Sequence, residues 1–438
     1  MNGQVTQGRA FEQARDLFIA GVRAFESGHA DQAQAAFEAS LALVPGRAST
    51  LLNLAATRIR LGAPESALIL LDEVLVQQPD NTDAWAYRGA ALADLERYEE
   101  ALTCQERVLA SEPQHRASAF ERAALLNLLS RHREALKALD ELLQIDADHA
   151  PSWIEHGHTL HALNRQEEAL RSYERALALD PRCADAWSQY GGVLKDLGRS
   201  EEAAHAFRQS LAHGGDTEVD AFMLASIEGS TAQTMPRGAP RAYVQGLFDQ
   251  YAEGFEAHLV GELGYRAPQL LCAMLPPARR YSAALDLGCG TGLAALPLLA
   301  VAAAIDGIDL SPRMLAKARQ GGHYRQLCCG DLTEVLAAST ERYELVMAAD
   351  VFIYVGALEA VFAQVARMLE RGGHFLLTLE ESDTDLALQP SSRYAHSDGY
   401  LRRCASGSGF EVLMIERAAL RVEQRQAIAG LYALLSRS

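Results

Sequence analysis

The chain has 438 residues, 49% of them hydrophobic and 22% charged, with a formal net charge of −17 at pH 7; this is ordinary globular composition at a length of more than one domain. The acidic excess argues against a nucleic-acid surface, because each phosphate contact needs a cation not already committed to a neighbouring carboxylate. No apolar run is long enough to span a bilayer, the N-terminus has no signal-peptide core, and the seven cysteines show no Cys-x-x-Cys spacing, so the expectation is a cytoplasmic protein with reduced thiols and neither membrane nor nucleic-acid partner.

Self-similarity comes first in chain order. A period of 34 residues ends at Pro45, Pro79, Pro113, Ala147, Pro181 and Gly215. In that register a large slot reads Leu17, Leu51, Trp85, Ala119, Trp153, Trp187, and a small slot four residues later reads Gly21, Ala55, Gly89, Ala123, Gly157, Gly191. Alanine recurs at 33, 67, 101, 135, 169 and 203, followed by a bulky position at Phe37, Leu71, Gln105, Leu139, Tyr173 and Phe207. Two antiparallel helices per unit explain the pattern: small residues sit where helices cross closely, large ones fill the gap, and proline stops the second helix. The slots resemble the tetratricopeptide repeat, with Gln105 and Ala119 as departures. The resemblance implies a curved surface holding a protein or peptide segment. His156, His158 and His161 lie in HGHTLH without an acidic or sulfur partner at fixed spacing, so no metal site is expected.

Residues 1–230 are therefore read as the repeat array, six units over about 14–215 plus a capping helix at 217–230. Residues 231–242, with two prolines and a glycine, read as a linker. Residues 243–438 form the second domain.

From 281 onward, apolar runs alternate with helical stretches: AALDL, IDGIDL, HYRQLC, YELVMAAD, HFLLTLE, FEVLMIE and GLYALLS. Seven strands in a Rossmann-like α/β sheet are expected, with a ligand at the carboxyl ends of the first strands. The first strand ends in LDLGCGTG, where Gly288, Gly290 and Gly292 let backbone amides approach a ligand. A dinucleotide fingerprint would place its third glycine at Leu293. The second strand ends at Asp309, placed to accept ribose hydroxyls, and the third at Asp331, able to face an adenine amino group.

Glycine loop, Asp309 and Asp331 together resemble the class I S-adenosylmethionine-dependent methyltransferases over about residues 241–438, and the whole is similar to bacterial fusions of tetratricopeptide repeats with a trans-aconitate-type methyltransferase. The resemblance implies S-adenosylmethionine as cofactor. It sets Gly288 and Gly290 beside the methionine part, Asp286 near its ammonium, Asp309 on the ribose, Asp331 and Leu332 at the adenine, and Ala349 and Asp350 next to the sulfonium. Cys289, Gly292 and Leu310 complete the set, and Tyr251, in a helical segment over 243–260, would donate to the cofactor carboxylate from a lid.

Methyl transfer needs mainly a positioned nucleophile and exclusion of water. A carboxylate acceptor needs no base and could be oriented by Arg393; a hydroxyl, amine or thiol would be helped by His258 or His396. Tyr354, just past the fourth strand, is a further catalytic candidate. No Asn-Pro-Pro-Tyr follows that strand, which lowers nucleic-acid and amide methylation. The expected function is methyl transfer to a protein, peptide or carrier-bound substrate recruited by the repeats. The alternatives are a non-catalytic scaffold that binds the cofactor, or a small-molecule carboxylate methyltransferase whose repeats only mediate assembly. Acceptor atom and oligomeric state stay open.

Overall fold

Two hydrophobic periods in one chain produce two kinds of architecture. In the structure, a computed structural model that describes residues 2–229, 234–423 and 426–438, the chain groups into two compact units, Met1–Arg199 and Ser200–Ser438.

The first unit is helical throughout its described residues: α1 (Asn2–Glu26), α2 (Ala30–Leu43), α3 (Ala48–Arg60), α4 (Pro64–Gln77), α5 (Thr82–Asp94), α6 (Tyr98–Ser111), α7 (Arg116–Leu128), α8 (His132–Ile145), α9 (Ala150–Ala162), α10 (Gln166–Leu179) and α11 (Ala184–Asp196). The helices α3, α5, α7, α9 and α11 start 34 residues apart. Small and bulky slots face each other within a unit: a Cβ on Gly21 would stand 2.6 Å from the Phe37 ring, and one on Gly157 2.8 Å from the Tyr173 ring. Gln105 keeps the bulky position, with its amide 2.5 Å from where a Gly89 Cβ would stand. Each tryptophan closes a turn, its indole N–H donating to the carbonyl six residues back: Trp85 to Pro79, Trp153 to Ala147 and Trp187 to Pro181.

One repeated feature has no residue signature. The turn between the two helices of a unit needs a left-handed residue, supplied by Gly62 but also by Glu96, Ser130 and Asn164, whose φ values are 57°, 58° and 58°. Two histidines of HGHTLH have protein partners: His156 meets Ser172 and Asp140, and His161 meets Asp196 at 2.9 Å.

The second unit begins with α12 (Ser200–Ala212) and α13 (Thr217–Glu228), then α14 (Arg241–Tyr251), a π-helical turn (Ala257–Glu262) and α15 (Ala267–Ala273). The sheet region follows as β1 (Ala284–Leu287), α16 (Ala295–Leu299), β2 (Ile305–Asp309), α17 (Pro312–Gly321), β3 (Gln326–Cys329), α18 (Leu332–Ala338), β4 (Tyr343–Ala348), α19 (Glu359–Met368), β5 (Leu369–Glu381), β6 (Leu386–Leu388), β7 (Tyr394–His396), α20 (Asp398–Gly407), β8 (Phe410–Glu423) and β9 (Gln426–Arg437).

The seven expected strands are present, and a short β6–β7 hairpin adds two more. Parallel pairing runs β3-β2-β1-β4-β5, and β9 lies antiparallel between β5 and β8. Strand β7 pairs with β5 only at Glu380 and Glu381, beyond the point where β4 leaves that edge at Ala348. The central strands are buried apolar runs, as a parallel sheet covered on both faces requires. One face packs Phe352, Phe362, Leu401 and Phe410; the other packs Leu271, Leu298 and Tyr432.

The expected capping helix and linker belong to this second unit. Phe222 of α13 is 1% exposed and packs against Tyr243 and Tyr394. Residues 231–233 of the expected linker lie outside the described residues. Further along, the Tyr394 hydroxyl donates to the Pro236 carbonyl at 2.8 Å, and the Ala239 N–H donates to the Tyr354 carbonyl at 2.9 Å. Aromatic packing and these bonds join the segment to the loop after β4. Among the described residues no helix is long and apolar enough to cross a membrane.

Candidate active site

Strand order reverses at β1, which lies between β2 and β4, and a crevice opens at the carboxyl ends of these strands. A cavity of about 190 Å³ lies there, lined by the loops after β1, β2, β3 and β4 and covered by side chains from 239–268.

The glycine loop forms its floor. Gly288, Gly290 and Gly292 all have positive φ, at 63°, 54° and 99°. A Cβ on Gly288 would collide with Val351 at 2.6 Å, whereas one on Gly290 would meet nothing nearer than the Phe255 ring at 3.9 Å and would project into the cavity. Cys289 is 5% exposed, and its Sγ stands 2.8 Å from where a Gly307 Cβ would be, so a glycine in β2 makes room for the loop. Gly292 packs on the Tyr324 ring and is absent from the cavity lining.

Two aspartates flank this loop, Asp286 buried and Asp309 partly buried. Asp309 ends β2; one of its oxygens accepts from the Gly290 N–H and the other from the Ser311 N–H, each at 2.8 Å. Burial raises its carboxyl above the usual range, against the pull of those amides. Asp286 is 1% exposed and accepts from the Tyr324 hydroxyl at 2.7 Å. Burial pushes it up to about 7, with the Tyr324 bond working downward and the Asp309 charge upward.

Asp331 caps α18, accepting from the N–H groups of Thr333 and Glu334. With Leu310 and Leu332 it lines the cavity. Ala349 and Asp350 line it from just past β4. Asp350 has φ 58°, a strained conformation for a non-glycine residue, and is held there: its N–H donates to Thr378 Oγ1 and its carboxylate accepts from Arg421 at 2.8 Å. Arg421, from β8, is 4% exposed and also pairs with Glu380 and Glu423.

The cover comes from the helical segment expected as a lid. Phe248, Phe255 and Leu259 reach the cavity. Asp249 anchors the segment to the start of α17 by accepting from Ser311 Oγ at 2.5 Å, and Glu253 pairs with Lys317 at 2.7 Å. Tyr251 is not on the cavity lining; its ring stacks edge-on against Phe255 and His258. His258 shares that place off the cavity.

The acceptor-side residues divide. Tyr354 lines the cavity, its ring edge-on to Phe248, and Arg393 stands behind it, bonded to Tyr354 and Glu423. Arg393 is therefore neutralised within the protein and not presented at the lining. His396 belongs to the core rather than to an acceptor contact. It is 0% exposed, its Nε2–H donates to the Gly356 carbonyl at 2.9 Å, its ring stacks on Tyr400, and burial lowers it to about 4. The reason is β7, which turns that residue inward beneath the loop after β4.

Tyr265, Tyr324, Arg421 and the lid phenylalanines have no sequence motif that assigns them to the site. The aromatic spacing at Phe248 and Phe255 is visible in sequence, but not which rings face inward.

This fold and site define a methyltransferase-type α/β domain preceded by a helical repeat. Methyltransferase domain is the family model that matches residues 285–377. Tetratricopeptide repeat models match 24–91 and 88–150, and a TPR repeat model matches 157–198. The malonyl-[acyl-carrier protein] O-methyltransferase of Legionella pneumophila is 32% identical over 165 residues, covering 35% of this chain and 57% of that protein. The protein of the same name from Enterobacter lignolyticus is 30% identical over 182 residues, covering 40% of this chain and 70% of that protein. The chain thus spans little more than half the length of the first relative. Among solved structures, the N-methyltransferase NodS from Bradyrhizobium japonicum WM9 in complex with S-adenosyl-L-homocysteine is 17% identical, with 39% of this chain and 85% of that chain covered and a TM-score of 0.33. The chain belongs to the class I S-adenosylmethionine-dependent methyltransferase family, with tetratricopeptide repeats ahead of the methyltransferase domain.

Proposed function

We propose that the protein transfers a methyl group from S-adenosylmethionine to a protein-, peptide- or carrier-bound acceptor that the repeat unit captures. The observation that carries this reading is the ledge formed by the glycine loop, Asp309 and Asp331, with a cavity where a Gly290 Cβ would otherwise stand. These residues fit the cofactor: Asp309 offers lone pairs to ribose hydroxyls, Asp331 and Leu332 border the base, and Asp286 meets an ammonium. When bound, S-adenosylmethionine supplies a methyl group on cationic sulfur, and displacement by a carboxylate oxygen forms an O–CH3 bond, leaves the C–S electron pair on sulfur and moves no proton.

The chain's own residues orient and enclose. Phe248, Phe255 and Leu259 exclude water above the cavity, and the Arg421 contact fixes Asp350 at the end of β4. A carrier-bound carboxylate acceptor is supported by the relatives' name and by the lack of a histidine among the cavity-lining residues. The repeats would raise the local concentration of a tethered substrate.

The test incubates the full chain, and separately residues 200–438, with methyl-labelled S-adenosylmethionine in cell extract and with malonyl-acyl-carrier protein. The expected result is alkali-labile label on a macromolecule, with KM for that acceptor higher in the shorter chain. Label only in small molecules, or equal kcat/KM for both chains, overturns recruitment; no label overturns methyl transfer.

A further inference from the structure

The inner helices of the repeat unit carry a surface that methyl transfer does not use. Tyr87, Glu121 and Glu155 stand 34 residues apart on α5, α7 and α9, so they share one register and form a row across three successive units. Contacts between these helices make the row continuous: Asn127 of α7 donates to Glu155 Oε1 at 2.6 Å, and the charges of Asp94 and Glu155 both act on Glu121. Glu121 is exposed, yet its carboxyl is raised above the usual range, first by desolvation and then by those two neighbours, as in a side chain set in a recess. Tyr87 opens the row with an exposed ring.

Among the described residues, no Lys or Arg of these helices pairs with the carboxylates of the row. Arg88 of α5 turns to Asp72 of α4, and Arg116 and Arg122 of α7 turn to Asp146, just past α8, and Glu141 of α8; α9 has neither Lys nor Arg. A hydroxyl beneath the row is also unanswered. Tyr173 of α10 sets the ring carbon that bears its hydroxyl 2.8 Å from where a Gly157 Cβ would stand on α9, and the buried oxygen has no hydrogen-bond partner. The carboxylates that act on it are Asp185 of α11 and Glu155 of α9, both from inner helices. Like charges gathered in a recess over an unpaired hydroxyl are unfavourable until a cation joins them. Packed helices lie about 8–10 Å apart, which matches three residues of a polyproline II chain at about 3.1 Å each, with every third side chain on one face.

We propose that the inner face of α5, α7 and α9 binds an extended protein segment with Lys or Arg at every third residue, its cations pairing with Asp94, Glu121 and Glu155 while its side-chain stems pack on Tyr87. The proposal rests on the reading of the repeats as a capturing surface and names the chemistry of what is captured. Among the acceptors considered above, it favours a protein or peptide with a cationic segment.

The test is fluorescence anisotropy of a labelled Lys-Pro-Pro repeat peptide with the full chain, which reads binding without turnover and so fails separately from capture kinetics and from methyl transfer. Saturable binding is expected, with none for a Glu-Pro-Pro peptide of equal length. Glu121→Gln with Glu155→Gln keeps the shape of the row and is expected to weaken Kd about tenfold or more, with the tryptophan-fluorescence midpoint equal or higher because two repelling charges are gone. Glu106→Gln with Glu167→Gln makes the same charge change on α6 and α10 and is expected to shift Kd by less than about twofold. Glu121→Lys alone is expected to abolish binding.

No saturable binding of the Lys peptide overturns the proposal. Equal binding of the Glu peptide, or equal weakening by the outer pair, overturns it by reducing the interaction to the overall field of an acidic chain. A lowered midpoint in the inner pair overturns it by making the carboxylates structural, and unchanged Kd in Glu121→Lys overturns the row itself.

Discussion

Arg421→Met removes the cation at the centre of a buried ionic cluster. The Arg421 side chain is 2% exposed and those of Asp350 and Glu380 are 13% and 9% exposed, while Glu423 also has Arg393 as a partner. Without the guanidinium, Asp350 and Glu380 lose the cation that both pair with, and only the charge of Arg393 still acts on Glu380, a break worth about 3–5 kcal/mol. For a unit the size of Ser200–Ser438 that corresponds to a fall in midpoint of roughly 6–20 °C, at about 2–4 °C per kcal/mol.

The tryptophans make the assay selective. All three, Trp85, Trp153 and Trp187, lie in the first unit. Their fluorescence midpoint should stay in place while the circular-dichroism transition of the second unit moves down. The deficit should depend on pH. Burial already holds Glu380 above its ordinary value with Arg421 present, and removing the cation raises it further. A carboxyl whose folded pKa lies above its unfolded one stabilises the fold below the unfolded pKa and loses that contribution as pH rises through the folded value. The gap between variant and wild type should therefore narrow as pH falls from neutral toward the unfolded carboxylate range. A dichroism shift under about 3 °C, or a gap that widens on acidification, refutes the buried-charge reasoning.

Three further outcomes follow from the same geometry. Asp309→Ala and Gly290→Val should each abolish S-adenosylhomocysteine binding in calorimetry with the dichroism spectrum unchanged; wild-type affinity in either would remove those residues from the cofactor site. Gly157→Ala should lower the fluorescence midpoint, since its Cβ meets the buried Tyr173 ring at 2.8 Å and overpacking costs about 1–3 kcal/mol, whereas Gly89→Ala meets chiefly the movable amide end of Gln105 and should be milder; equal effects would contradict the facing-slot packing. Affinity for S-adenosylmethionine should strengthen as pH rises through about 7, because Asp286 must be ionised to meet the cofactor ammonium and burial holds it protonated below that value; a flat Kd across that range would place the ammonium elsewhere.

Short-range patterns were enough for much of this protein. The 34-residue period states that small and bulky positions will face each other, because spacing along a helix pair determines which side chains meet, and Gly21 with Phe37 and Gly157 with Tyr173 do meet. Strand–helix alternation likewise specifies a parallel sheet, and Gly288, Gly290, Asp309 and Asp331 fall at strand ends, where topology brings loops together on one cavity.

What only the tertiary structure decided are contacts between distant parts of the chain and the direction each side chain faces. Strand β7 has three residues, too few for a period to show, yet it carries His396 into the core and so takes away the histidine that sequence position offered as a base. Arg421 reaches Asp350 across 71 positions of sequence, and no local pattern announces a charge pair that forms only when β8 packs beside β9 at the sheet's edge. The helical periodicity of 243–260 leaves several aromatics able to face inward; packing turned Phe248 and Phe255 to the cavity and Tyr251 away from it.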